Sequence, residues 1–235
     1  MHEQTTKDNE TLTAFWDGVF ALSDEEKEQI QSGAVQIRDL APSEKLYCAI
    51  GSLGSKQTVL DYGCGNGWAS LAIAESGCQN VTAVDPTKSG VEATKVFSDA
   101  FGLSGRIHAI RIPFDWLTTV QDASFDGFLC SNVLDTVPTE VAVEIVKEAA
   151  RVVRDDAEVL IGLNFYLPKE DAEKRGMTVM DGNAYYLNGV LRLVSKTDEE
   201  WTAFFAPYFT VEDLSYFAWQ GEEEERRRLF RLKKK

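Results

Sequence analysis

Residues 57–69 read Gln-Thr-Val-Leu-Asp-Tyr-Gly-Cys-Gly-Asn-Gly-Trp-Ala, and chemistry is most readable here. A short apolar strand (Val59, Leu60) runs into Asp61. Gly63, Gly65 and Gly67 follow at alternate positions with Cys64 between the first two, and an apolar helical run, 68–74, comes next. Without a Cβ, the backbone can turn sharply and a ligand can lie directly against it. The helix that follows points its free N–H groups into the loop. The pattern describes a nucleotide-type cradle at the C-terminal end of a parallel strand. A glycine-rich turn with no ligand is the plainer alternative.

The loop also says which ligand it suits. A dinucleotide fingerprint needs Gly-x-Gly-x-x-Gly, but the third glycine position is Trp68, too large for close helix–strand packing. A phosphate-binding P-loop needs Gly-Lys-Ser/Thr, which is absent from the loop. Instead an acid stands two residues before the first glycine. It would repel a pyrophosphate and attract a cation. S-adenosylmethionine, with an ammonium beside its sulfonium, fits that polarity. The next apolar run, 81–84, ends in Asp85-Pro86, where a carboxylate can take the two hydroxyls of a ribose. Alternatively, Asp85 caps the helix that opens near Thr87.

Three segments, Val59-Leu-Asp-Tyr-Gly-Cys-Gly-Asn-Gly67, Val81-Thr-Ala-Val-Asp85 and Phe125-Asp-Gly-Phe-Leu-Cys-Ser-Asn-Val133, resemble the class I S-adenosylmethionine-dependent methyltransferases. The resemblance covers about residues 55–165 well and the remainder loosely. It implies that Asp61 and the backbone of Gly63, Cys64 and Gly65 hold the methionine moiety, that Asp85 holds the ribose and that Pro86 borders the adenine. Ile112 and Pro113, after the third strand, fall where similar enzymes pack adenine. Cys130 and Ser131, at the end of the fourth, are expected to face the cofactor cleft. The expected activity is methyl transfer from S-adenosylmethionine to a small-molecule oxygen, nitrogen or carbon. The alternatives are a non-catalytic cofactor-binding protein acting through partner contacts and, less favoured, a nucleotide-dependent oxidoreductase.

Methyl transfer needs alignment first and a base only when the acceptor must lose a proton early. Many small-molecule methyltransferases carry a histidine near position 135, where this chain has Asp135. The histidines are His2, near the chain start, and His108, inside an expected strand and read as structural. By position alone, Asp115, Asp135, Tyr185 and Tyr186 are the catalytic candidates. No divalent-metal cluster is expected, and no Asn-Pro-Pro-Tyr motif follows the fourth strand.

The elements that would position these residues follow from periodicity. Residues 1–56 read as a helical cap: Leu12, Phe15, Trp16, Val19 and Phe20 recur at helical spacing, Ser23-x-x-Glu26 is a capping box, and Pro42-Ser-Glu opens a further helix with Leu46, Ile50 and Leu53 inward. In similar enzymes such a piece covers the cofactor and helps shape the substrate pocket; the plainer reading, and the favoured one, is that Phe15 and Trp16 are simply core. Residues 57–165 alternate between strands near 57–61, 81–85, 107–112, 126–131 and 158–165 and helices centred on 67–76, 88–101 and 139–153. Residues 166–196 form an insertion with a hairpin at Asn188-Gly189. Its face has three readings: closure over the substrate, extension of the sheet, or a homodimer contact. Thr197-x-x-Glu200 caps a last helix, and two strands near 211–217 and 229–232 complete seven. The expected architecture is α/β: a Rossmann-like, doubly wound, mostly parallel sheet with an antiparallel edge strand, in a domain spanning 57–235.

Composition bounds the partners. The 235 residues are 44% hydrophobic and carry a formal charge of −14, with basic residues clustered only in 226–235. A nucleic-acid substrate is therefore not expected. No apolar run reaches the length of a membrane span, and the first ten residues lack a signal peptide's apolar stretch. Four cysteines without metal spacing fit a reducing, cytoplasmic setting.

Overall fold

The computed structural model describes residues 3–235, so His2 lies outside the described residues. Strands β1 (Val59–Tyr62), β2 (Val81–Asp85), β3 (Ile107–Arg111), β4 (Phe125–Ser131) and β5 (Val153–Leu163) are parallel, and β9 (Phe209–Phe217) and β10 (Arg227–Lys234) complete a seven-stranded sheet. Its order is β3-β2-β1-β4-β5-β10-β9. β10 runs antiparallel to both neighbours, between β5 and the edge strand β9. β1 pairs with β2 on one side and β4 on the other, so the chain reverses its winding at β1. A cleft at the C-terminal ends of the strands opens at such a point.

Near-continuous apolar strands with helices on both faces are what a parallel sheet requires. Leu60, Val84, Phe128 and Ile161 face one core, shared with helix α7 (Thr139–Val152) and helix α9 (Asp198–Phe205). Val59, Val81, Ala83 and Leu129 face the other, shared with α5 (Trp68–Glu75) and α6 (Lys88–Ala100). The N-terminal helices wrap around the molecule. Leu12 of α1 (Glu3–Phe20) joins the first core, while Ile30 of α2 (Asp24–Gln31), Ile37 of α3 (Ile37–Leu40) and Leu46 and Ile50 of α4 (Glu44–Ile50) join the second. Both capping boxes form, Ser23 with Glu26 and Thr197 with Glu200.

Two details differ from expectation. β5 starts at Val153, directly after α7, and its register against β4 jumps from Phe125–Val153 to Gly127–Glu158, so the exposed Asp155 and Asp156 that mask a strand pattern lie within it. The insertion is larger than a hairpin. Helix α8 (Lys169–Lys174) precedes a separate three-stranded sheet of β6 (Thr178–Met180), β7 (Ala184–Leu187) and β8 (Val190–Val194). Asn188 and Gly189 both have positive φ, 54° and 78°, as a type I′ turn demands.

Candidate active site

The glycine loop is held from below by the sheet and from the side by α6. The N–H groups of Gly63 and Cys64 both donate to the Val84 carbonyl, at 2.8 and 3.0 Å, tying the loop to β2. Thr94 Oγ1 of α6 donates to the Gly65 carbonyl at 3.1 Å. Gly63, Gly65 and Gly67 take φ of 76°, 52° and 83°, the left-handed region that glycine enters at little cost. Close approach adds a second reason. A Cβ on Gly63 would lie 2.3 Å from Val133 Cγ2, and one on Gly65 would lie 2.7 Å from the Phe20 ring of α1.

Above this loop a cavity opens along the C-terminal ends of β1, β2 and β4. Asp61, Gly63, Cys64, Gly65, Asp85, Pro86, Ile112, Pro113 and Ser131 all line it. Cys130, expected to face the cleft, does not. Strand alternation sends its side chain into the core shared with α7, where it is fully buried, and gives the cleft to Ser131.

Asp61 is 2% exposed and accepts a 2.6 Å hydrogen bond from Ser70 Oγ. Burial pushes its carboxyl up to about 7; the Ser70 hydroxyl opposes that rise and the Asp85 carboxylate adds to it. Asp85 Oδ2 accepts from the Gly65 N–H at 2.9 Å, and its Oδ1 from the Thr87 N–H at 2.8 Å and the Thr87 hydroxyl at 2.5 Å. Burial raises its pKa too, against those hydrogen bonds. The helix cap of α6 is Thr87, whose side chain accepts from the Gly90 N–H, so Asp85 steadies the cap rather than forming it. Thr87 takes both lone pairs of Asp85 Oδ1, so its Oδ2 is the oxygen that retains one for a ligand.

None of the catalytic candidates lines this cavity. Asp115 is exposed beside a 3₁₀ turn at Trp116–Thr119. Asp135 is fully buried and accepts from the Asn164 N–H at 2.6 Å. Tyr185, also buried, donates to the Leu167 carbonyl at 3.0 Å, and Tyr186 donates to Asp8 of α1 at 2.9 Å. His108 is exposed on β3, itself an edge strand. The four candidates were chosen by chain position, and the side chains of Asp135, Tyr185 and Tyr186 are committed to other hydrogen bonds.

The structure adds lining residues that no local motif announces. Leu12, Thr13, Trp16 and Phe20 come from α1, Val133 and Asn132 from the turn after β4, and Trp219 from the loop between β9 and β10. The helical stripe of α1 was a signal for the first group. Trp219 had none, because its approach depends on β10 returning beside β5.

Residues 59–156, from β1 to the start of β5, match the family model described as a methyltransferase domain. These residues are similar to a methyltransferase domain. Solved structures share the architecture at low identity. A Burkholderia thailandensis 1,6-didemethyltoxoflavin-N1-methyltransferase, solved with S-adenosylhomocysteine, is 19% identical with a TM-score of 0.64, covering 88% of this chain and 84% of that one. An O-methyltransferase from neocarzinostatin biosynthesis, NcsB1, gives 17% and 0.61, covering 90% of this chain and 58% of its own. The [4+2]-cyclase SpnF gives 18% and 0.58, covering 73% and 60%. No curated protein matches the sequence. At such identities the chain shares a fold with these proteins, and that fold serves more than one reaction.

Proposed function

We propose that this protein transfers a methyl group from S-adenosylmethionine to a small-molecule acceptor. One observation carries the reading: Asp61 is a buried carboxylate on the cavity wall, and no lysine, arginine or histidine is among the described residues lining that cavity. Such a group is costly unless a cation arrives with the ligand. The donor set suits the cofactor of this family: Asp61 for the ammonium, the side-chain-free backbone of Gly63 to Gly65 for the methionine chain, Asp85 for the ribose hydroxyls, and Pro86, Ile112 and Pro113 for the adenine. When bound, the cofactor supplies an activated methyl group on a sulfonium, so the protein's task is orientation and exclusion of water. Trp16 and Phe20 cover the loop from α1; Asp61 and Asp85 fix the two ends.

Four free cysteines, three of them buried, suit a reducing cytoplasmic compartment. No helix among the described residues is long and apolar enough to cross a membrane.

A second reading, cofactor binding without methyl transfer, is favoured by one feature: no positional candidate for a base is among the residues lining the cavity. Incubation with S-adenosylmethionine tritiated at the methyl group, followed by chromatography of a small-metabolite extract, separates the two. Label in a metabolite is the expected result. Tight binding of S-adenosylhomocysteine with no labelled product would replace the first reading with the second.

A further inference from the structure

Part of the cavity wall comes from the far end of the chain. Trp219, in the loop between β9 and β10, lines the cavity, and so does Pro42, between α3 and α4. The two loops are fastened to each other. The Gln220 N–H donates to the Pro42 carbonyl at 2.8 Å, its side-chain amide donates to the Ala41 carbonyl at 3.2 Å, and Lys45 of α4 pairs with Glu225 at 2.6 Å. Trp219 packs against the core that contains Cys64 and Ala69, as Trp68 does, and all three of these line the cavity too. Trp219 therefore stands on the side of the sheet that carries α5 and the glycine loop, whereas Leu12 and Trp16 join the opposite core.

The indole is clamped from outside the cavity. The Arg227 guanidinium carbon lies 3.3 Å from the Trp219 ring centroid, a stacking distance, and Arg227 is not among the described residues lining the cavity. That guanidinium is itself fixed. Its Nε and Nη2 donate to the two oxygens of Glu222 at 2.8 and 2.7 Å, the two-pronged geometry in which arginine meets a carboxylate, and its Nη1 donates to Asn164 Oδ1 just after β5. Glu222 closes the circuit by accepting from the Trp219 N–H at 2.9 Å. Arg227 is 6% exposed, so its charge has been taken out of water at a cost that the ion pair only offsets. Tying the loop to β10 needs the ion pair alone. The stack directs the same group onto the one ring of the loop that faces the cavity.

We propose that Trp219 is a cofactor-binding residue that closes the cavity over the glycine loop, and that Arg227, gripped by Glu222, is the positioning residue that holds the indole there. A wall set in place before the ligand arrives spares the cost of ordering it on binding. Both roles rest on the methyl-transfer reading, in which S-adenosylmethionine fills this cavity.

The test is calorimetric titration of the full chain with S-adenosylhomocysteine. Trp219→Ala is expected to weaken binding by about tenfold, and Trp219→Phe, which keeps a ring, by less than about threefold. Arg227→Lys keeps the charge but gives up the plane and the fork, and is expected to weaken binding by about threefold. In the Trp219→Ala background the same Arg227→Lys change should cost nothing further, because a positioning residue then has no ring to position. Equal losses from Arg227→Lys in both backgrounds would show that it supports the fold rather than the indole, and would overturn its assignment. Should Arg227→Lys not fold, Glu222→Gln takes its place with the same expectation, since it breaks the ion pair and keeps an oxygen for the Trp219 N–H. Wild-type affinity in Trp219→Ala would overturn the inference and leave the methyl-transfer reading standing. A wild type that fails to bind S-adenosylhomocysteine would overturn both.

Discussion

Burial holds the Asp61 carboxyl up to about 7, well above its ordinary value of 3.8. The sign of the consequence for stability follows directly. A carboxyl whose pKa rises on folding favours the folded state while protonated, so this contribution is full below about pH 4 and is lost as pH climbs through 7. Asp61→Asn removes the penalty and keeps an acceptor for Ser70. The variant is expected to be more stable than wild type at pH 8, by on the order of 4 kcal/mol, and little different at pH 4. Urea denaturation of the ligand-free protein at both pH values checks this; a variant less stable at pH 8 would show that the ionised group is already compensated. Asp85 has a different function, because its oxygens already hold Gly65 and Thr87. Asp85→Ala should weaken S-adenosylhomocysteine by about 1.5–3 kcal/mol, the usual worth of hydrogen bonds to a charged group. Unchanged calorimetric affinity would remove Asp85 from the ribose site. Both acids were legible in the sequence because each stands at a strand end, where position fixes direction. Cys130 was misread for the same reason, since one residue of strand alternation separates cleft from core.

Helix α1 forms one wall of the site, and the three-stranded sheet braces it. Tyr186 of β7 donates to Asp8, and the Arg192 guanidinium of β8 lies 4.2 Å from the Phe15 ring centroid. At α1's C-terminal end Asp17 accepts from the Ser89 N–H at 2.8 Å, joining it to α6. The insertion contributes no residue to the cavity lining; it positions the helix that does. The Tyr186 phenol, raised by burial and by the Asp8 carboxylate, stays protonated and keeps donating at neutral pH. Tyr186→Phe should therefore speed amide hydrogen exchange in α1 by roughly tenfold, with β1 and β4 unchanged. Exchange rising equally in the sheet would mean a global loss of stability rather than a released helix. The hairpin itself was readable from Asn188-Gly189. Its docking was not, because its partner Asp8 lies 178 residues away and nothing local encodes the contact.

Across the molecule, the parallel half of the sheet was legible because each strand is a short apolar run followed by an amphipathic helix. The closing half depends on contacts between distant segments. Arg228 of β10, 1% exposed, shows how that half is locked: its guanidinium donates to the Asn164 carbonyl at 2.8 and 2.6 Å and to the Lys196 carbonyl at 2.7 Å, and pairs with Asp198 at 3.1 Å. One side chain thus joins β10, the end of β5 and the start of α9. In the sequence it is one basic residue of the 226–235 cluster, just before the expected last strand. Arg228→Ala should cost about 1–3 kcal/mol for each carbonyl left buried and unpaired, seen as a lower urea midpoint; a midpoint within error of wild type would show that water replaces the guanidinium. The same return of β10 carries Trp219 into the cavity, beyond reach of motif reading.

The account turns on Asp61 meeting a cation, and proton linkage measures that encounter directly. Calorimetric titration with S-adenosylhomocysteine at pH 6.5, in phosphate and in Tris, reports the protons exchanged on binding. A carboxyl near 7 that ionises as the ammonium arrives should release between about half and one proton per ligand, and Asp61→Asn should release almost none. No binding, or binding with no proton released by the wild type, would contradict the claim that this buried carboxylate exists to receive the cofactor's positive end.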